Sequence, residues 1–171
     1  MNGLTYIKDF ITEDEENKLI TFINSMEWNN ELSRRTQQYG YKYNYSKNNI
    51  LEKAKVIPHQ FNFIINAISQ KFNKNFDQLI INEYVAGQGI SPHIDHIKLF
   101  DDTIISISLG SPCVMKFTNN DNIYEQILDR RSMVALQSDV RYKWKHSIPA
   151  RKSDNNIDRM TRISLTFRKT T

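Results

Sequence analysis

The sequence predicts an α+β fold in which helices from the first part of the chain support a sheet of many short strands. Helical stripes of apolar residues occur before residue 78, and short segments of alternating apolar and polar residues follow it. The length of 171 residues suits one compact domain with a single core. We therefore expect one domain over residues 1–171, with the helical support in 1–77 and the strand-rich core in 78–171.

Two N-terminal supporting helices are predicted. Thr12-Glu13-Asp14-Glu15 has the capping-box pattern, in which a hydroxyl and a carboxylate each accept an N–H at the start of a helix. A stripe with helical spacing follows it and consists of Leu19, Ile20, Phe22, Ile23 and Met26. A second stripe follows Pro58, whose missing N–H is tolerated in a first turn, and consists of Phe61, Ile64, Ile65, Ile68 and Phe72. Both stripes are assigned to the core.

Short strands are predicted from Gln78 onward, because apolar and polar residues alternate there between turn residues. They cover residues 79–85, 103–109, 113–118, 122–128, 132–137, 143–148 and 162–168. A sheet with this many strands is able to close on itself.

Composition limits the class of protein. The single Cys113 excludes an internal disulfide and indicates a reducing compartment. No segment approaches the roughly 18 apolar residues of a membrane helix, and the first residues lack a secretory apolar core. We therefore expect a soluble, intracellular monomer, cytoplasmic or nuclear, without membrane association. The net charge of +4 is compatible with nucleic acid as a partner but does not require it.

His93-Ile94-Asp95 is the motif that points to chemistry. In an extended segment His93 and Asp95 project to the same side. With the distant His146 they supply two imidazoles and one carboxylate, the ligand set of a facial triad that holds Fe(II) and leaves other positions open. A lone histidine and aspartate at this spacing is more often a surface pair, so the motif needs support from the rest of the chain.

The terminal strand supplies that support. Ile163, Leu165 and Phe167 share one face, and Arg162, Ser164, Thr166 and Arg168 share the other. The arginines could be solvated edge charges, but beside an iron site a guanidinium fork suits a carboxylate co-substrate. Their alpha carbons are about 20 Å apart, so they serve opposite ends of a ligand, or one serves the co-substrate and the other a neighbouring acid.

The strand before the motif adds polar groups to the same site. Asn82 and Tyr84 share a face, and an amide and a phenol there suit hydrogen bonding to a bound carboxylate. Gly87 and Gly89 then turn the chain toward the histidine.

Taken together, these residues resemble the AlkB family of Fe(II)- and 2-oxoglutarate-dependent dioxygenases. The motifs that carry the resemblance are Asn82-x-Tyr84, Gly87-x-Gly89-Ile90-x-Pro92-His93-x-Asp95, His146 and Arg162-x5-Arg168. The resemblance implies a double-stranded beta-helix (jelly-roll) core, with Fe(II), 2-oxoglutarate and molecular oxygen. It implies that His93, Asp95 and His146 bind iron, that Arg162 anchors the distal carboxylate of 2-oxoglutarate, and that Asn82, Tyr84, Ser164 and Arg168 position the rest.

Within the family, the sequence most resembles the homologue that hydroxylates wobble-uridine modifications in tRNA. That homologue also carries an RNA-recognition module and a methyltransferase domain, for which this chain has no room. We therefore expect a separate methyltransferase as a possible partner.

The segment 34–47 is rich in basic and aromatic residues. The candidates for nucleic-acid binding in it are Arg34, Arg35, Tyr39, Tyr41, Lys42 and Tyr43, with Lys47 beyond them. One interpretation is an exposed hairpin whose tyrosines are half-buried on the domain. The other is a lid, because tyrosines stack on bases while Arg and Lys neutralise phosphate. The family resemblance implies that this segment is a nucleotide-recognition lid.

Other polar residues carry weaker signals. His96 is adjacent to the metal motif but faces away from Asp95 in an extended chain. Ser106 and Ser108 suit the wall of a barrel, since no oriented base accompanies them. Arg130, Arg131 and Arg141 are either a phosphate patch or a solvated face.

The expected function is oxidation of a modified base in nucleic acid, by hydroxylation or demethylation, with tRNA favoured. Several AlkB enzymes that repair cationic methylated bases carry an acid two positions after the metal aspartate, whereas this position is Ile97, followed by Lys98. A cation near Lys98 would be repelled, so a neutral base is favoured. The alternatives are repair of N-alkylated bases in DNA or RNA, oxidation of a protein or small molecule, and an inactive nucleic-acid-binding module.

Overall fold

The computed structural model describes residues 1–44 and 50–171, so Lys47 lies outside the described residues. The helices are α1 (Glu13–Ser25), α2 (Asn62–Phe72) and α3 (Ser138–Tyr142), and a 3-10 turn (His59–Phe61) precedes α2. The strands are β1 (Leu4–Ile7), β2 (Thr36–Tyr39), β3 (Tyr41–Asn44), β4 (Ile50–Lys53), β5 (Gln78–Tyr84), β6 (Ile90–His93), β7 (Ile104–Leu109), β8 (Cys113–Asn119), β9 (Asn122–Leu128), β10 (Met133–Leu136), β11 (Lys145–Ile148), β12 (Ser153–Asp154), β13 (Ile157–Asp158) and β14 (Arg162–Arg168).

Two antiparallel sheets form the body of the fold. The main sheet has the order β1-β10-β7-β14-β5-β2, and the minor sheet has the order β6-β11-β8-β9. The small hairpins β3-β4 and β12-β13 lie outside both. This arrangement is the jelly-roll architecture that the family resemblance implied, supported by the two predicted helices. The main sheet takes its edge strands β1 and β2 from residues 1–77, so its composition does not follow the predicted division at residue 78.

The main sheet separates two apolar cores. On its outer face, α1 and α2 contribute Leu19, Ile23, Ile64 and Ile68 to a core shared with the odd-numbered residues of β14. On its inner face, residues of β7 and β10 pack with residues of the minor sheet, including Met115 and Phe117. The alternation of side chains along β14 therefore sends Arg162 and Arg168 between the two sheets.

Helix α1 begins with the predicted capping box. Thr12 Oγ1 accepts the N–H of Glu15 at 3.1 Å, and Glu15 Oε1 accepts the N–H of Thr12 at 2.8 Å. Within the described residues, no helix is both long and apolar enough to cross a membrane.

Glu16 attaches α1 to the main sheet through a buried ion-pair cluster that sequence reasoning missed. Its side chain is 0% exposed and accepts hydrogen bonds from Arg130 at 2.8 Å and from Arg131 at 3.0 Å. It also accepts the backbone N–H of Gly110 at 2.9 Å. Arg130 and Arg131 therefore hold a carboxylate of this chain, a role that neither the phosphate patch nor the solvated face predicted.

Replacing Glu16 with Gln is expected to lower the free energy of unfolding by about 3 kcal/mol, because two arginines lose their carboxylate in a buried place. Burial alone would raise the pKa of Glu16, but Arg130, the Gly110 N–H and Arg131 outweigh it and lower the pKa. The contribution is therefore present above the unfolded pKa of about 4.3 and is lost as pH falls through the lower folded value.

Denaturant titrations of Glu16→Gln and the wild type at neutral and acidic pH measure this difference. Glu13→Gln is the matched control, because Glu13 is an exposed residue of the same first turn. A Glu16→Gln variant as stable as the control at neutral pH would contradict the role of the cluster.

Candidate active site

The two histidines of the candidate site face each other across paired strands. In the register of β6 and β11, His93 is the direct partner of His146, and their ring centroids are 4.3 Å apart. Gly89 allows this pairing, because a Cβ at that position would lie 2.1 Å from the carbonyl oxygen of Ile148. The glycine before β6 therefore helps bring two imidazoles from distant parts of the chain to one point.

Asp95 completes the cluster two residues after His93. Its Oδ1 atom is 3.3 Å from His93 Nε2 and 3.3 Å from His146 Nε2. One ligand atom from each of the three residues lies within 4.8 Å of the others. Two imidazole nitrogens and a carboxylate oxygen converging from one side fit an Fe(II) ion with open positions.

The ring of His93 is oriented by a backbone contact. Its Nδ1 atom is 2.7 Å from the carbonyl oxygen of Ser91, so Nδ1 carries the hydrogen and Nε2 is directed at the cluster. Burial would lower the pKa of His93, but the contacts with Asp95 and the Ser91 carbonyl outweigh it and raise the pKa. A metal at this site therefore competes with a proton on His93.

Arg168 lies beside Asp95, the carboxylate of the candidate metal site. Its Nε atom is 2.9 Å from Asp95 Oδ2, an ion pair whose N–H does not point at the oxygen, so neither atom has a hydrogen-bond partner. Burial would raise the pKa of Asp95, but Arg168, His146 and His93 hold it well below its usual range. The sequence left two arrangements open for Arg162 and Arg168. In the structure, Arg168 pairs with a neighbouring acid rather than being free for the second end of a ligand.

Arg162 is a buried cation available for an anionic ligand. It is 3% exposed, its Nη2 donates to Ser108 Oγ at 2.9 Å, and its guanidinium lies 5.5 Å from the centre of the Tyr84 ring. Its Nε has no hydrogen-bond partner, and the described residues provide no ion pair for it. A desolvated guanidinium with an unused donor fits a bound carboxylate, such as that of 2-oxoglutarate.

The paired strands β5 and β14 bring the predicted co-substrate residues to one face. Arg162 is opposite Tyr84 and Ser164 is opposite Asn82, and all four line the same cavity. Asn82 Oδ1 accepts a hydrogen bond from Arg34 Nε at 3.1 Å. Burial raises the pKa of the Tyr84 hydroxyl against the influence of Arg162 and Arg34, so Tyr84 is a neutral hydrogen-bonding group.

The cavity has two unlike walls. The main sheet contributes a mainly polar wall that also includes Ile104, Val134 and Leu136. Strands β6, β8 and β11 contribute the rings of His93 and His146 and further apolar side chains. The apolar lining residues of the cavity are Ile90, Ile104, Met115, Val134, Leu136 and Ile148. Such a site can hold an anion beside a metal and exclude water around the reacting atoms.

Arg141 holds the loop that carries Asp95, a role that sequence reasoning missed. The side chain is 2% exposed and donates to the carbonyl oxygens of Asp95 at 2.8 Å, His96 at 3.3 Å, Phe100 at 3.2 Å and Asp101 at 3.1 Å. Burial lowers the pKa of this guanidinium from its ordinary value. Because the side chain is buried, both predicted alternatives, a phosphate patch and a solvated face, are wrong for Arg141. The only signal in the sequence was its position five residues before His146.

The structure divides the predicted lid residues into two groups. Tyr39 is 5% exposed and donates to Gln37, so it belongs to the outer core and cannot stack on a base. Arg35 makes two hydrogen bonds to Glu83, both 2.9 Å, and stacks on Trp28 at 4.6 Å, so its charge is already paired. The prediction for Tyr39 was wrong, because the pairing of β2 with β5 places its side chain in the core. Arg35 stays a candidate, since its side chain is 41% exposed.

The remaining lid residues stay candidates. Lys42 is exposed on β3, and Tyr41 is partly exposed on the same strand. Arg34 donates a hydrogen bond to Asn82, which lines the cavity. Tyr43 is directed inward, and its hydroxyl accepts a hydrogen bond from Arg168 at 3.2 Å.

Comparisons with known proteins agree with this geometry. The family model of the 2OG-Fe(II) oxygenase superfamily matches residues 3–168. An Arabidopsis thaliana protein named "Alkylated DNA repair protein ALKBH8 homolog" is 32% identical over 98% of this chain and 58% of its own length. A Xenopus tropicalis protein named "tRNA (carboxymethyluridine(34)-5-O)-methyltransferase alkbh8" is 34% identical over 89% of this chain and 26% of its own length.

A solved structure shares the fold. The structure of OsALKBH1 superimposes with a TM-score of 0.80 over 98% of this chain and 96% of that chain, at 15% sequence identity. The chain thus spans a little over half of one relative and about a quarter of the other, while its fold matches nearly the whole of a solved structure.

Proposed function

Because the chain belongs to the AlkB family of the 2OG-Fe(II) oxygenase superfamily, we propose that it oxidises a modified base in nucleic acid. The protein is a 2-oxoglutarate-dependent dioxygenase with Fe(II) and 2-oxoglutarate as its cofactors. The observation that carries the site assignment is the convergence of His93, Asp95 and His146 beside the unpaired guanidinium of Arg162.

Each residue of the site has a separate role in this reaction. His93, Asp95 and His146 hold the iron, and Arg162 binds the distal carboxylate of 2-oxoglutarate. Iron and 2-oxoglutarate, when bound, activate molecular oxygen to oxidise a carbon-hydrogen bond, with succinate and carbon dioxide as the other products. Asn82, Tyr84 and Ser164 orient the co-substrate through hydrogen bonds from the polar wall.

Arg168 and the apolar lining of the cavity serve the same reaction. Arg168 keeps Asp95 ionised, which a metal ligand requires. The apolar side chains that line the cavity exclude water from the reacting atoms, so that the base rather than solvent is oxidised.

The charge of the cavity favours a neutral base over a cationic one. Among the described lining residues Asp95 is the only carboxylate, and it is already paired with Arg168. Asp101 and Asp102 are both paired with Lys74, at 2.9 and 2.8 Å, so neither is directed into the cavity. A cationic methylated base would thus lack a counter-ion in a place of low dielectric, at a cost of about a few kcal/mol.

The loop after Asp95 offers no acid either. Ile97 is 55% exposed, Lys98 is exposed, and the ring of His96 accepts the backbone N–H groups of Lys98 and Leu99. We therefore propose hydroxylation of a neutral modified base, with a uridine derivative of tRNA as the preferred substrate. The names of the two relatives support nucleic acid in general and tRNA in particular. A separate methyltransferase would then act on the same nucleoside.

A substrate panel tests the proposed function. Succinate formation from 2-oxoglutarate is measured with tRNA, with methylated oligonucleotides and with peptides, and a His146→Ala variant supplies the background. We expect nucleic acid to raise succinate formation well above the substrate-free rate. Stimulation by peptides alone, or by no nucleic acid, would contradict the proposal and favour the protein or small-molecule alternative.

A further inference from the structure

Tyr43 connects the β3-β4 hairpin to the metal-binding carboxylate. Its hydroxyl oxygen accepts a hydrogen bond from Arg168 Nη1 at 3.2 Å, and Arg168 Nε is 2.9 Å from Asp95 Oδ2. The rings of Tyr43 and Phe100 meet edge to face with centroids 5.9 Å apart, and the Arg168 guanidinium lies 4.5 Å from the centre of the Phe100 ring. Two contacts therefore lead from the hairpin to a ligand of the iron.

Arg168 depends on Tyr43 for its orientation. The contact with Asp95 is an ion pair without hydrogen-bond geometry, and the Phe100 ring restrains only one face of the guanidinium. Among the described residues, the Tyr43 hydroxyl is the only hydrogen-bond partner of the Arg168 side chain. A flexible side chain with one directional contact takes its geometry from that contact.

The hairpin is built to present one side to the metal site and the other to solvent. Gln38 of β2 accepts the backbone N–H of Tyr43 at 2.9 Å, which holds the hairpin to the edge of the main sheet. The side chain of the adjacent Lys42 projects to the other side of β3 and is exposed. A phosphate bound by Lys42 would therefore contact the same strand that carries Tyr43.

We propose that Tyr43 is a positioning residue that couples the β3-β4 hairpin to the iron site through Arg168 and Asp95. Its hydroxyl fixes the guanidinium, and the guanidinium fixes the carboxylate in the orientation that metal binding needs. The coupling to nucleic acid rests on the proposed function. If the hairpin binds RNA, RNA and 2-oxoglutarate strengthen each other's binding, because such coupling is reciprocal.

The test begins without nucleic acid. Tyr43→Phe removes one hydroxyl and keeps the ring on Phe100, and Tyr124→Phe is the matched control, since Tyr124 lies exposed on β9. Fe(II) and then 2-oxoglutarate are titrated anaerobically, and both affinities and the position of the visible charge-transfer band are measured. We expect Tyr43→Phe to weaken Fe(II) and 2-oxoglutarate binding roughly 3- to 10-fold and to shift the band.

Thermal unfolding of the metal-free proteins separates positioning from folding. The expected melting temperature of Tyr43→Phe is within a few degrees of the wild type, since one hydrogen bond is lost. Affinities and a band identical to the wild type would overturn the proposal. An affinity loss no larger than that of Tyr124→Phe would overturn it as well.

A second arm repeats the 2-oxoglutarate titration with tRNA present. The wild type should bind 2-oxoglutarate at least about fivefold more tightly with tRNA, and Tyr43→Phe should lose this gain. An equal gain in both proteins would overturn the coupling. Failure of the wild type to bind tRNA at all would refute the coupling and the preference for tRNA, whereas the substrate panel decides the proposed function and the first arm decides the positioning of Arg168 independently.

Discussion

Replacing Arg162 with Ala is expected to weaken 2-oxoglutarate binding by about 3 kcal/mol, or roughly a hundredfold in Kd. The guanidinium is buried, donates to Ser108 and has an unused Nε donor, so the distal carboxylate would lose its charge partner in a place that excludes water. Calorimetric titration of 2-oxoglutarate into the metal-loaded protein measures the loss. Nucleic acid, whose phosphates we propose to meet exposed residues, should bind with nearly unchanged affinity.

Two variants sharpen this experiment. Arg162→Lys keeps the charge but loses the fork, so it should recover only part of the affinity. Arg151→Ala removes an exposed arginine whose partner Asp154 keeps its contact with Arg159, and it should bind 2-oxoglutarate normally. A similar loss of affinity for nucleic acid and 2-oxoglutarate in Arg162→Ala would contradict the assignment.

Replacing Arg141 with Met is expected to cost about 4 kcal/mol of folding stability and to weaken metal binding as well. Four backbone carbonyls between Asp95 and Asp101 lose a charged donor, and several stay buried without a partner. For a chain of this length, the loss corresponds to a fall of about 10 °C in melting temperature. The loop that carries Asp95 would no longer be held, so Fe(II) affinity should fall in the protein that remains folded.

A core variant separates these two effects. Ile68→Ala creates a cavity in the core on the opposite face of the main sheet and should cost about 2–5 kcal/mol. Its Fe(II) affinity, measured well below the melting temperature, should match the wild type. If Arg141→Met loses stability but binds Fe(II) as tightly as Ile68→Ala, then Arg141 serves folding alone.

The parts of the fold that the sequence predicted depend on local spacing. The capping box at Thr12, the helical stripes and the alternation along β14 are all patterns within a few residues, and the structure confirms them. Short elements escaped prediction, among them β1, β6 and the β12-β13 hairpin, because two to four residues carry little periodicity. Their positions depend on partners elsewhere in the chain.

Prediction of the site residues was also limited to patterns within a few positions of the sequence. His93 and Asp95 stand two apart, so their convergence could be predicted, and family resemblance supplied His146. Arg141 and Glu16 contact atoms 40 to 115 positions away, and nothing near them in the sequence distinguishes them from surface charges. Tyr39 was misassigned for a related reason. A tyrosine in a basic segment looks exposed until the pairing of β2 with β5 places it on the core side.

Analysis of nucleosides by mass spectrometry tests the central claim most directly. Modified tRNA and oligonucleotides containing N1-methyladenine are incubated side by side with the protein, Fe(II), ascorbate and 2-oxoglutarate. Because the described cavity offers a cation-rich lining and no free carboxylate, we predict a uridine derivative that has gained one oxygen, with little reaction of N1-methyladenine. Brisk formaldehyde release from the methylated oligonucleotide, with no oxidised nucleoside in the tRNA, would contradict the account.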